Sequence, residues 1–144
     1  MSIRLINRNT DYAVRAVCYM AAREEKDKAH ITSVTELVTK LQVPRAFIRK
    51  ILQVLNNEKV LLSRRGFGGG FKLARSPEKI YLTEIIEIFQ GPFKLTECIF
   101  KKRACPNRKT CFLKKKLDAI EEFAAGQLKP ITIQEVADGN KNVL

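Results

Sequence analysis

Residues 33–60, "SVTELVTKLQVPRAFIRKILQVLNNEKV", constrain this chain more than any other stretch. Two amphipathic runs of helical period lie on either side of a break only Gln42 and Val43 wide. In the first, Ser33 and Glu36 have the S-x-x-E spacing of a capping box, and Val34, Leu37, Val38 and Leu41 share one face. Pro44 suits the first position of the second helix. Its Ile48, Ile51, Leu52 and Leu55 recur at core spacing and leave Arg45, Ala46, Arg49, Lys50 and Gln53 facing outward. Helices joined so tightly read as a helix-turn-helix. An ordinary helical hairpin has the same spacing, but its outer face need not be basic and amide-bearing. Side chains of that kind reach both phosphates and base edges in a major groove.

The next stretch, "KVLLSRRGFGGGFKLARSPEKIYL", reads as two strands, 60–65 and 71–74, joined across Gly66 and the triplet Gly68, Gly69 and Gly70. A β-hairpin directly after a helix-turn-helix is a wing, and glycines let its tip turn tightly. Neither G-x-x-x-x-G-K-[ST] nor G-x-G-x-x-G is present, so a nucleotide loop is disfavoured. Arg64 and Arg65 stand beside the tip, placed to follow a phosphate backbone or enter a minor groove. Ser33 is first a helix cap and second a phosphate donor.

Other helices flank this unit. "TDYAVRAVCYMAAREE" predicts a first helix with Thr10 as N-cap and Asp11 in the first turn. Val14, Val17, Cys18 and Ala21 form its buried face, with Cys18 a small core residue, and "REEKDKAH" reads as a polar loop. Thr83 is expected to cap a helix carrying Ile85, Ile86, Ile88 and Phe89, stopped by Gly91-Pro92. A long helix is expected from about 110 to 125, ended by Gly126. Its Leu113, Leu117, Ile120 and Ala124 recur as the seam of a helix pair. Because a complete winged unit precedes it, that seam is read as pairing two chains rather than folding back on its own. A second capping box, Thr132 to Glu135, opens a short final helix before a frayed polar tail. The expected fold class is mainly α with a small β-hairpin wing. Residues 1–92 form the DNA-binding region, 93–111 a cysteine loop, and 112–144 the dimerisation and C-terminal helices, all in one compact domain.

The cysteine loop, "ECIFKKRACPNRKTCFLKKK", holds Cys98, Cys105 and Cys111 among lysines and arginines. The N-terminal stretch has no apolar h-region, and no apolar run approaches the roughly 20 residues that span a bilayer. A cytoplasmic location without membrane attachment is therefore expected, and there thiols stay reduced. The net charge of +12 leaves nucleic acid, membrane surface and acidic protein all open as partners. The spacing C-x6-C-x5-C lacks the knuckles of most zinc sites, and the only histidine, His30, is distant in sequence. Positive neighbours suit a thiol switch and equally an anionic iron–sulfur cluster, so cluster, switch and zinc all remain open.

Taken in order, "TDYAVRAVCYMA", the helix-turn-helix, "SRRGFGGGFKLA", the three-cysteine loop and the long helix resemble the IscR and NsrR type of iron–sulfur-dependent transcription regulators. The resemblance covers nearly the whole chain. It implies a homodimeric winged-helix protein that binds double-stranded operator DNA, with a [2Fe–2S] or [4Fe–4S] cluster on Cys98, Cys105 and Cys111 adjusting its affinity. It departs from the IscR type at Lys114, where that type places a histidine ligand three positions after the third cysteine. The NsrR type draws an aspartate from the partner subunit's first helix, and Asp11 fits that position. Asp11 is read equally as a helix-start carboxylate paired with Arg15. Two other functions remain: a cluster-free repressor controlled by thiol oxidation, zinc or a protein partner, and an iron–sulfur carrier or electron-transfer module. No nucleophile–base constellation or paired-carboxylate motif is present to suggest an enzyme.

Overall fold

The computed structural model describes residues 5–95 and 109–139. Its first helix, α1 (Arg8–Lys26), is capped by Asn7 and not by Thr10. Asn7 has extended backbone, and its Oδ1 accepts from the Thr10 N–H at 2.8 Å. Thr10 therefore lies inside the first turn, fully buried. Its hydroxyl sits 3.0 Å from Asn7 Oδ1 and 2.9 Å from Gln90 Oε1. The helix also runs on through Lys26 into the stretch expected as a loop. Glu24 explains part of that extension, because its carboxylate accepts from the Leu73 N–H at 2.8 Å and ties the helix to the hairpin. Ala13, Ala16, Val17, Cys18, Met20 and Ala21 form the buried face. Val14 is half-buried and packs against the core from its edge.

Helix α2 (Val34–Leu41) is stopped by Gln42 in the left-handed region at φ 52°, which turns the chain sharply into α3 (Arg45–Asn57). Pro44 is the N-cap of α3, one residue earlier than the first-turn position expected of it. Ile48, Ile51, Leu52 and Leu55 are all buried, as their spacing requires. Only half of the expected capping box forms at α2. Ser33 Oγ accepts from the Glu36 N–H at 3.1 Å, but the Glu36 carboxylate turns towards α1 instead of back to Ser33. Tyr19 donates to it at 2.6 Å and His30 Nε2 lies 3.2 Å away. Arg23 Nε is 3.4 Å from the same carboxylate, close enough for ion pairing but misaligned for a hydrogen bond. Burial pulls the Glu36 carboxyl up, but the Tyr19 hydrogen bond and the His30 and Arg23 partners outweigh it and hold it below its ordinary value. The Tyr19 hydroxyl is pushed up to about 12, by burial first and by its bond to Glu36 second.

The hairpin pairs β1 (Leu61–Arg64) with β2 (Gly70–Leu73), antiparallel, with Leu61 opposite Leu73 and Arg64 opposite Gly70. Thr32 adds a third segment by an isolated bridge to Phe71, exchanging N–H···O bonds of 2.9 and 2.8 Å. The approach is so close that a Cβ on Gly70 would stand 2.3 Å from the Thr32 carbonyl oxygen. After a single 3₁₀ turn at Pro77–Lys79 comes α4 (Leu82–Gln90). Its N-cap is Tyr81, without a side-chain bond, so Thr83 is an intrahelical residue and not the expected cap. Helix α5 (Phe112–Leu128) passes through Gly126 instead of ending there. Gly126 has nothing within reach of a Cβ and meets no conformational demand, so it only weakens the helix locally.

The chain then returns. Ile131 accepts from the Leu82 N–H at 2.9 Å and the Ile133 N–H donates to Ile80 at 2.8 Å, which seats the last helix, α6 (Ile133–Gly139), beside α1. Thr132 and Glu135 make the expected reciprocal box, with bonds of 2.8 and 3.2 Å. Ile133 and Ala137 are buried and belong to the same core as Leu37, Ile48, Leu52 and Val60. The molecule is mainly α with a small β-hairpin, a winged helix-turn-helix followed by a long helix.

Candidate nucleic-acid interface and cysteine segment

Helix α3 supplies a surface of one sign. It carries Arg45, Arg49 and Lys50 and no acidic residue. All three cations and Ala46 are exposed. Arg45 is positioned from the neighbouring helix, its guanidinium donating to Thr35 Oγ1 at 2.9 Å. Phe47 meets Tyr12 of α1 edge to face at 5.5 Å, and the Arg8 guanidinium lies 5.8 Å above the Tyr12 ring. The start of α3 is thereby held against α1 while its outer face stays open.

The hairpin is likewise free of acid from residue 61 to 75, with Arg64, Arg65, Lys72 and Arg75 along it. Arg64, Arg65 and Lys72 are exposed. Arg75 is turned to structural use, bonding the Glu84 carboxylate and the carbonyls of Lys79 and Lys59. Thr32, which pins the hairpin, directly precedes the α2 cap Ser33. Backbone bonds therefore set the hairpin's position against the helix pair. Ser33 is half-buried, its oxygen already accepting from Glu36 N–H, which leaves its hydroxyl proton available.

The cysteine readings divide by position. Cys98 and Cys105 lie outside the described residues. Cys111 is the N-cap of α5, and its Sγ accepts from the Lys114 N–H at 3.4 Å. Lys114 directs its ammonium to Asp118 one turn on. Asp11 is half-exposed and accepts from Arg15 Nε at 2.9 Å. Cys18 is buried, and burial pushes its thiol up to about 12, which makes it a core side chain and a poor ligand. Among the described residues no three His, Cys, Asp or Glu side chains converge on a metal position. Of the donors an iron–sulfur cluster would need, the described residues supply one, the soft sulfur of Cys111 at a helix N-terminus, where the dipole favours negative charge.

Gln90 closes α4 where the chain leaves for the cysteine segment. It accepts from the Asn7 N–H at 3.0 Å and donates to the Leu5 carbonyl at 2.9 Å, beside its contact with Thr10. The Leu95 N–H in turn donates to Glu121 of α5 at 2.6 Å. The approach to the segment is thus tied to the start of α1 on one side and to α5 on the other.

Helix α5 has no buried residue. Leu113 and Ile120 of the expected seam are exposed, Leu117 and Ala124 half-buried, and Phe112 and Phe123 are exposed beside them. No helix among the described residues is long and apolar enough to cross a membrane. Sequence reasoning missed Asn7, Thr35, Phe67 and Gln90. An Asn three positions ahead of Thr10 is itself a cap signal, and an aromatic residue between two glycines is an exposed-tip signal. Nothing local marks Thr35 or Gln90.

Comparison with known proteins gives the chain a family and related folds. The family described as Rrf2: Iron-dependent Transcriptional regulator matches residues 6–139. The HTH-type transcriptional regulator NsrR of Bacillus subtilis is 23% identical over 136 residues, covering 94% of this chain and 91% of that one. The structure of CymR, the global cysteine regulator of B. subtilis, superposes with a TM-score of 0.77 at 20% identity, covering 94% of this chain and 98% of that one. T. potens IscR gives a TM-score of 0.68 at 21% identity, covering 99% and 92%.

Proposed function

Because the chain belongs to the Rrf2 family of transcriptional regulators, we propose that it is a homodimeric DNA-binding regulator whose operator affinity is set by an iron–sulfur cluster. The observation that carries the DNA reading is the acid-free face of α3 beside an acid-free hairpin pinned to the cap of α2. In this reading Arg45, Arg49 and Lys50 meet phosphates and base edges in the major groove, and Ala46 offers a small apolar contact to a thymine methyl. Arg64 and Arg65 follow the backbone from the wing, and the Ser33 hydroxyl donates to a phosphate while its oxygen still caps α2. Residues 1–92 read the DNA, 93–111 hold the cluster, and 112–144 pair the subunits and complete the core. The protein works beside DNA in the cytoplasm.

Pairing follows from α5. Leu113, Leu117, Ile120 and Ala124, with Phe112 and Phe123, would gain burial against a second copy, and a two-fold dimer presents two reading heads to a two-fold operator. Cys98, Cys105 and Cys111 hold a [2Fe–2S] or [4Fe–4S] cluster, with Asp11 from the second copy as fourth ligand, released from Arg15 on binding. When bound, the cluster supplies an anionic, redox-labile centre. The residues around Cys111 tie its state to the dimer helix, and operator affinity changes to the extent that the two states fit DNA differently.

A second reading has support in Cys111 itself. Its sulfur at a helix N-terminus among lysines also suits direct thiol oxidation, without a cluster. One experiment separates the two. Anaerobically purified protein is examined by visible absorption, iron and acid-labile sulfide are counted per chain, and DNA binding is titrated against salt in the loaded and apo forms. Charge-transfer bands with matching iron and sulfide, and binding that changes on cluster removal, are expected. A protein that stays colourless after reconstitution yet alters its DNA binding on thiol oxidation establishes the second reading. Binding without sequence selectivity in either form removes the regulator reading.

A further inference from the structure

Phe67 is fully exposed, and no folded-state packing accounts for it. It stands at the apex of the hairpin in a turn closed by the Gly69 N–H donating to the Gly66 carbonyl at 3.0 Å. Gly68 at the third position has φ +71°, as a type II turn requires. A Cβ on Gly69 would lie 2.4 Å from the Arg64 carbonyl oxygen, so that glycine is fixed by its own backbone neighbours. The tip is therefore a single aromatic ring flanked by glycines, with Arg64 and Arg65 on one leg and Lys72 on the other.

We propose that Phe67 is an apolar wedge that enters the minor groove of the operator and unstacks one base step. The inference rests on the DNA-binding reading and deepens it. Four features point to a nucleic acid rather than a protein as occupant. The ring is isolated rather than part of an apolar patch. Cations flank it on both strands, with no acid between residues 61 and 75. Glycines on both sides let the backbone approach a groove floor closely. Finally, apolar side chains that insert between base steps, beside cations on the flanking phosphates, are an established way of kinking a duplex toward its major groove. The wedge costs least at pyrimidine–purine steps, which unstack easily, so such a step is expected under each wing.

The test uses the full chain and a duplex it selects from a randomised library. 2-Aminopurine is placed at successive steps outside the major-groove half-sites, and wild type, Phe67→Ala, Phe67→Leu and Arg65→Ala are compared. With Phe67 fully exposed, neither substitution there disturbs the core. Wild type should raise fluorescence at one step per half-site. Phe67→Ala should abolish that rise and weaken binding roughly tenfold, as loss of a wedge worth about 1.4 kcal/mol does, with an unchanged salt slope. Phe67→Leu should keep part of both effects. Arg65→Ala should lower the salt slope by about one while keeping the fluorescence rise. If Phe67→Ala binds and fluoresces like wild type, the wedge is overturned while the Arg65 result still upholds the DNA reading. If wild type shows no rise at any step, unstacking is overturned even where Phe67→Ala binds less well. If no duplex is selected and Arg65→Ala changes nothing, the underlying DNA reading itself has failed.

Discussion

Helices α3 and α5 are both amphipathic, yet they meet opposite fates in one chain. Four side chains of α3 are at most 2% exposed, whereas none of α5 is buried and Phe112, Leu113 and Phe123 are each more than 60% exposed. The difference teaches where each helix finds its stability. An isolated helix of this length is marginal in water, so α3 is held by the core of its own chain. Helix α5 leaves Phe112, Leu113, Ile120 and Phe123 exposed among the described residues, and in the proposed dimer a second copy covers them.

The largest effect expected from that contrast lies in α3. Ile48→Ala should lower unfolding stability by about 2–5 kcal/mol in denaturant titration, independently of protein concentration. A loss below 1 kcal/mol would place α3 outside the cooperative core. Ile120→Asp in α5 should leave the unfolding of the isolated chain within roughly 0.5 kcal/mol and weaken dimerisation about a hundredfold by analytical ultracentrifugation, a difference near 2.7 kcal/mol. A wild type that stays monomeric at all concentrations would sink the pairing of α5.

A smaller effect concerns the charged junction of α1 and α2. Glu36 is held below its ordinary value of 4.5, so its contribution to stability is complete above that pH and is lost as pH falls through the lowered folded value. Glu36→Gln should flatten stability against pH in that acid window and leave the profile above pH 6 nearly parallel to wild type; an unaltered acid limb would show that Tyr19, His30 and Arg23 do not stabilise the carboxylate. The smallest effect is on the surface of α5. Lys114 and Asp118 form an exposed pair one turn apart, and Lys114→Ala should cost only about 0.3–0.5 kcal/mol, reduced further by added salt. A cost of 2 kcal/mol would mean that Lys114 has a structural partner beyond Asp118.

What could be read in advance followed the reach of each interaction. Ile48, Ile51, Leu52 and Leu55 were legible because helical periodicity is local and the core enforces it. Boundaries were less so. Asn7 and Thr10 are both competent caps three residues apart, and the choice turned on Gln90, eighty residues away from Thr10. Gly126 reads as a stop signal, but in an exposed helix it costs only propensity. The capping box at Ser33 failed by half because Tyr19, seventeen residues earlier, offers Glu36 a better donor. The basic face of α3 was legible as composition, whereas the hold of Thr35 on Arg45 and the pinning of the hairpin at Thr32 and Gly70 depended on tertiary approach. Cys98 and Cys105 remain a matter of spacing and resemblance, since they lie outside the described residues.

The return of the chain at Ile131–Ile133 has a consequence during synthesis. Ile133 and Ala137 fill the face of α1, so a nascent chain still short of residue 133 has its helix-turn-helix made but its core unsealed. A chain truncated before residue 133 lacks Ile133 and Ala137 and bares the apolar face of α1 that they cover, which favours its proteolysis.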